Sequence, residues 1–124
     1  MLNLGFIGDI NLLEPYIKRI QKKSKIHITG KSSVGTKLAN DDFRFSIPEF
    51  NRIELIERSD ILVIDHFSLL PFDLVCKSVK KGKHIFAVDY PNYSLQEFGE
   101  LSKLTKEANT IFQFSNPLFN HAVI

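Results

Sequence analysis

The sequence predicts an α/β fold, an open parallel sheet of about six strands with helices on both faces in three layers. Three observations carry that expectation. Hydrophobic periodicity switches repeatedly between strand-like and helix-like along the chain. The run "ILVID" at 61 to 65 is apolar up to its last residue, as a parallel strand covered on both faces requires. Strands that alternate with helices are joined by right-handed crossovers, which wind a parallel sheet.

The elements follow in order. "LNLGFI" at 2 to 7 reads as a short buried strand. Leu12, Leu13, Tyr16, Ile17 and Ile20 then mark one face of a helix, with Pro15 tolerated in its first turn. "KIHIT" at 25 to 29 is a second strand, stopped by Gly30. A short helix is expected over 33 to 40, and "FRFSI" at 43 to 47 alternates like an edge strand. After Pro48, the apolar residues Ile53, Leu55 and Ile56 support a short helix leading into 61 to 65. Phe72, Val75 and Val79 fall at helical spacing after Pro71, and that helix ends at Gly82. "HIFAV" at 84 to 88 is another buried strand. Ser94 caps a long helix whose face carries Leu95, Phe98, Leu101, Leu104 and Ala108, and Glu97 completes a capping box. "TIFQF" at 110 to 114 is the last strand. The arrangement expected is a Rossmann-like sheet in the order 3-2-1-4-5-6.

Composition bounds the function. A chain of 124 residues, 44% hydrophobic and 24% charged, reads as one globular domain without linker, repeat or low-complexity tract. A net charge of +2 is too small to point to nucleic acid. The clusters Lys22-Lys23-Lys25 and Lys77-Lys80-Lys81-Lys83 sit at helix ends, where cations complement the helix dipole. One cysteine, Cys76, excludes an internal disulfide and suits a reducing, cytoplasmic setting. It lies among apolar neighbours with no base beside it and reads as an inert thiol. No apolar run reaches membrane-spanning length, and no spacing of His, Cys, Asp and Glu suggests a metal site.

The stretch "GFIGDINLL" at 5 to 13 sits where a dinucleotide-binding G-x-G-x-x-G turn would join strand to helix. Gly8 supplies the first glycine, but Ile10 and Leu13 stand in place of the other two. Ile10 puts a branched side chain in the tightest position, and Asp9 adds a negative charge where a diphosphate would lie. At the end of the second strand, where a carboxylate would bind ribose hydroxyls, the chain has Thr29-Gly30-Lys31-Ser32-Ser33. An ordinary polar loop explains these residues, and so does a phosphate held by Lys31 with the two serines. His66 follows the carboxyl end of "ILVID", where open parallel sheets place ligands, whereas His27 and His84 lie within strands and read as structural.

The segment "SDILVIDHFSLLPFDLVCKSVKKGKHIFAVDYP" at 59 to 91 resembles the N-terminal domain of the glucose–fructose oxidoreductase, inositol dehydrogenase and related family (Gfo/Idh/MocA). That family reads D-x-V-x-I-x-T-P-N-x-x-H, a helix, then A-L-x-x-G-K-H-V-x-x-E-K-P; here Asp60 runs without a gap to Gly82-Lys83-His84-Ile85. The downstream "SLQEFGELSKLTKEANTIFQFSNPLFNHA" is similar to the family's next helix and strand, so the resemblance spans essentially the whole chain. It implies a nucleotide-binding domain for NAD or NADP, and the positions that match its cofactor site are Gly8, Asp9, Ile10, Thr29, Gly30, Lys31, His66, Phe67, Asp89 and Tyr90.

The departures fall on the chemistry. The T-P-N triplet is replaced by Asp65 or His66 with Phe67 and Ser68, depending on register, and Pro71 takes the place of the histidine. Val88-Asp89-Tyr90, or Asp89-Tyr90-Pro91 in the shifted register, replaces Glu-Lys-Pro, so no lysine supports proton transfer. Tyr90, with a reference pKa of about 10, is a poor direct substitute. No catalytic residue is assigned. The resemblance also implies a second, substrate-binding domain, and the chain ends at Ile124, about where that domain would begin.

The resemblance and its departures leave three functions open. The first is a degenerate, non-catalytic relative serving as a binding or interaction module. The second is the nucleotide-binding half of an NAD(P)-dependent sugar oxidoreductase with a separate substrate half. The third is a domain for another nucleotide or sugar nucleotide. Phe112, Phe114, Leu118 and Phe119 near the carboxyl end are expected to mark an edge used by a homodimer or a protein partner. No membrane or nucleic-acid partner is expected.

Overall fold

The computed structural model describes residues 2–8, 10–23, 25–32, 47–65, 70–88 and 92–114, with backbone alone for 10–12 and 114. The elements are β1 (Leu2–Ile7), α1 (Ile10–Gln21), β2 (Ile26–Ser32), α2 (Arg52–Arg58), β3 (Ile61–Ile64), α3 (Phe72–Lys80), β4 (His84–Ala87), α4 (Leu95–Ala108) and β5 (Phe112–Phe114). All strands are parallel, in one sheet of order β2-β1-β3-β4-β5. With the expected third strand set aside, this is the order read from the sequence. β3 lies at the centre, as its unbroken apolar run requires.

Period-two alternation sorts the strand side chains onto two faces. Ile7, Leu62, Ile64 and Ile85 pack with Leu55 and Ile56 of α2, Val75 and Val79 of α3 and Leu101 of α4. Leu4, Phe6 and Val63 pack on the other side with Leu13 and Ile17 of α1. The sheet is therefore covered on both faces, in three layers.

Among the described residues the sheet has five strands, where six were expected. Residues 43–46 and the helix expected over 33–40 lie outside the described residues. Ile47, the last residue of the expected strand, is not in a strand. The chain instead meets β2 at one parallel bridge, Lys31 with Glu49. There the Lys31 N–H donates to the Pro48 carbonyl at 2.9 Å and the Phe50 N–H donates to the Lys31 carbonyl at 2.8 Å. Pro48 has no N–H to extend a ladder, so pairing does not propagate through it.

Four further expectations are corrected. Gly30 does not stop the second strand, which runs on to Ser32. Leu4 pairs with Ile28 and Gly5 with Gly30, so Thr29 is an extra residue in a bulge rather than the start of a loop. α1 begins at Ile10, which places Pro15 in its second turn, not its first. Leu95 is 91% exposed. At 100° per residue it lies about 120° around α4 from Leu101, off the buried face. The last strand starts at Phe112, leaving Ile111 57% exposed.

The local signals at the helix ends hold. The Ser94 hydroxyl accepts from the Glu97 N–H and the Glu97 carboxylate accepts from the Ser94 N–H, closing the capping box. Asn51 caps α2 by accepting from the Glu54 N–H. Gly82 follows α3 with φ +84°, a conformation that glycine adopts without strain. Among the described residues no helix is long and apolar enough to cross a membrane.

Candidate functional site

Parallel strands expose their carboxyl ends together, and ligands of such sheets enter where successive crossovers leave in opposite directions. Here that point lies between β1 and β3, because the chain passes from β1 outward to β2 and returns to β3 on the other side. Backbone bonds extend the ladders past the strand ends at this place. The Gly8 N–H donates to the Ser32 carbonyl, the Asp65 N–H to the Ile7 carbonyl and the Val88 N–H to the Ile64 carbonyl, each at 2.9 Å.

Gly8 turns the chain out of β1 with φ +129°. A β-carbon on it would stand 2.3 Å from the Asp65 Cβ. The bare side of this glycine is thus filled by Asp65, whose side chain is buried at 3% exposure against the end of β3. α1 begins two residues later at Ile10, and its first turn carries no acidic residue.

At the end of β2 the charges are arranged differently from a polar loop. Lys31 is 4% exposed, and its Nζ lies 3.0 Å from the Glu49 Oε1. The lysine side chain is 5% exposed and the glutamate side chain 37%, so the cation is inside and the carboxylate is at the surface. The Thr29 hydroxyl is buried without a hydrogen-bond partner among the described residues. Gly30 lets the Phe50 ring approach: a β-carbon there would stand 2.5 Å from it. An open cleft of about 590 Å³ lies over this end of β2, lined by Ser32, Glu49, Phe50, Asn51, Arg52 and Ile53.

A separate aromatic cluster lies at the amino ends of α3 and α4. Tyr93 lies edge-on to Phe72 with ring centroids 5.0 Å apart and packs against Phe98 at 5.6 Å. Burial pushes the Tyr93 phenol well above its usual range, which keeps it protonated at neutral pH. The His84 Nδ1 accepts from the Ile111 N–H at 3.0 Å and ties β5 to β4, a structural role. Burial also pushes the Cys76 thiol up, away from the reactive thiolate.

Of the ten positions matched to a cofactor site, Gly8, Ile10, Thr29, Gly30 and Lys31 are described. Asp9, His66, Phe67, Asp89 and Tyr90 lie outside the described residues, as do Leu118 and Phe119. Gly8 comes together with Ser32 and Asp65; Thr29, Gly30 and Lys31 are built into β2. Sequence reasoning gave no role to two residues that shape this end of the sheet, Asp65 and Glu49. A charge closing an apolar run signals the first. Nothing local signals the second, because the bridge across 18 residues places it.

No protein-family model matches the chain, and no curated protein sequence does. Solved structures do. A candidate myo-inositol dehydrogenase from Sinorhizobium meliloti superposes with a TM-score of 0.76 at 12% identity, over 93% of this chain and 36% of that one. The fold is Rossmann-like. An NAD-binding protein from Listeria innocua aligns with a TM-score of 0.71 at 12% identity, over 91% of this chain and 34% of that one. Homoserine dehydrogenase from Staphylococcus aureus gives 0.67 at 17% identity, over 92% and 32%. The chain spans about a third of the length of these solved chains, and at such identities the likeness is one of fold.

Proposed function

We propose that this chain is a Rossmann domain of the Gfo/Idh/MocA type that does not transfer hydride by itself and acts as a binding or interaction module. The observation that carries the reading is the contact between Gly8 and Asp65. A tightly held diphosphate needs bare glycine surface and backbone N–H groups turned toward it. Here the side of Gly8 is occupied by Asp65, and its N–H is spent on Ser32. Ile10 opens the helix where a second glycine would lie. Lys31, the candidate for a phosphate, is buried against Glu49. These residues do not fit a dinucleotide diphosphate.

Like charges about 4 Å apart cost on the order of 4 kcal/mol at a surface-like dielectric. Each 1.4 kcal/mol or so is a tenfold loss of affinity. A carboxylate such as Asp65, standing beside Gly8, would set such a repulsion against a diphosphate held at that turn.

The second reading is the nucleotide-binding half of an NAD(P)-dependent oxidoreductase. It is favoured by the likeness of fold to an NAD-binding protein and to dehydrogenases. Titration calorimetry of the full chain with NAD and NADP separates the two. Negligible heats and an unmoved melting temperature are expected; micromolar binding of either cofactor restores the second reading.

A further inference from the structure

The geometry points to the groove between α2 and α3 as a docking site for a protein partner that presents a large apolar side chain with an acidic residue within one helical turn of it. The groove lies in the helix layer over one face of the sheet, apart from the crevice between β1 and β3. It does not depend on whether a cofactor enters that crevice.

The groove is apolar at one end and charged at the other. Ile53 in the first turn of α2 and Leu74 in the first turn of α3 line the apolar end, over the buried Ile56. Ser78 lines it too, but its hydroxyl donates to the Leu74 carbonyl at 2.8 Å and spends its proton there. Ile53 is 55% exposed. An exposed isoleucine alone is ordinary; beside an apolar groove it extends the surface that a partner can cover. The groove holds about 220 Å³. That is below the roughly 300–1,000 Å³ of small-molecule sites, and it suits one large side chain, the anchor that protein interfaces seat in such pockets.

The charged end selects the partner's charge. The Lys81 ammonium donates to the Glu57 carboxylate, and the Lys83 ammonium donates to the Glu57 carbonyl at 3.3 Å. These contacts join the carboxyl ends of the two helices and engage the carboxylate that lines the groove. Lys77 lines it as well, exposed and without an ion pair among the described residues. Cations at this end answer the helix dipole, but the dipole does not account for the apolar groove beside them. The lining thus carries two lysines against one glutamate, and Lys77 is left to attract an acidic group. Lys77 follows Leu74 by three positions, about 4.5 Å along the helix. A carboxylate within a turn of the anchoring side chain therefore reaches it.

The test is titration of the full chain, by amide chemical shifts and calorimetry, with the capped peptide Asp-Glu-Leu-Phe-Glu-Asp and with a counterpart whose acids are all lysine. The acidic peptide should bind with submillimolar affinity and shift the amides of Ile53 to Glu57 and of Leu74 to Lys81. The lysine peptide should leave them in place. Lys77→Glu should weaken the acidic peptide about fivefold, and Ile53→Ser about tenfold. Both residues are exposed, so neither change disturbs the core. Absence of shifts at millimolar peptide, equal binding of the two peptides, or shifts confined to Ser32 and Glu49 to Arg52 overturns the proposal. Three further results overturn it by naming another occupant. Octanoate binding as tightly as the peptide would assign the groove to a free carboxylic acid. Pelleting with phosphatidylglycerol vesicles that Lys77→Glu abolishes would assign it to a membrane surface. A dimer that Ile53→Ser dissociates would assign it to a second copy. Micromolar NAD would overturn the non-catalytic reading above and leave these contrasts standing as the measure of the groove.

Discussion

Asp65 fills the space beside Gly8: a β-carbon on the glycine would lie 2.3 Å from the aspartate's own Cβ, at a backbone φ of +129°. Both terms act against any side chain. Gly8→Ala should cost about 3 kcal/mol, from left-handed strain together with overpacking. Gly82→Ala shares the positive φ, +84°, but meets nothing within 4 Å, so it should cost about 1 kcal/mol. Urea denaturation of both variants measures the difference. Equal costs would show that the Asp65 contact is not what restricts Gly8.

Gly30 and Phe50 form a second close pair, with the ring 2.5 Å from the position of a Gly30 β-carbon and the Arg58 guanidinium 4.9 Å from the ring centroid. Gly30→Ala should destabilise by about 2 kcal/mol. Adding Phe50→Leu should recover part of that loss. A double-mutant cycle reads the coupling, and strict additivity would contradict the contact.

Pro15 stands in the second turn of α1, exposed, where it removes one helical hydrogen bond. Alanine is better there by about 3 kcal/mol in intrinsic propensity. The stiffer unfolded chain of the proline form offsets about 1 kcal/mol. Pro15→Ala should therefore raise stability by about 2 kcal/mol, measured by thermal or urea unfolding. A destabilised variant would mean that the ring itself is needed in packing.

Cys76 has its thiol pushed above its ordinary 9.0, first by burial and then by the carboxylate of Glu100, with Lys80 opposing. The thiolate is the reacting species, so iodoacetamide at pH 8 should label the folded protein much more slowly than the urea-unfolded chain. Equal rates would place the thiol in water.

Among the described residues β5 is an edge strand of three residues paired with β4 alone, and Ile111 just before it is 57% exposed. We expect this carboxyl-terminal edge to join a second copy or a protein partner. Sedimentation should show a dimer that Ile111→Lys dissociates. A monomer at high concentration would remove the second copy from consideration.

Much of this architecture was legible because it is local. The apolar run at 61 to 64 identified the central strand, and the Ser94–Glu97 box marked the start of α4. The helix over Phe72, Val75 and Val79 followed from its spacing, and its stop followed from Gly82. Each of these depends on residues a few positions apart, so a single sequence contains the whole signal. Leu95 shows the limit even there, since an apolar residue near a helical stripe was assigned to the face and lies off it.

The sequence by itself determined the class of fold, the order of the strands around β3 and the turn that Gly8 makes. Tertiary structure decided what stands around that turn. Whether Gly30 ended a strand or admitted Phe50 depended on a ring 20 positions away, and the partner of Lys31 lay 18 positions along the chain. Asp65 reaches Gly8 only because β1 and β3, distant in sequence, are neighbours in the sheet. Periodicity reports how a segment meets water and core; contacts between segments follow from register and from the exclusion of overlapping atoms, which appear only once the sheet has formed.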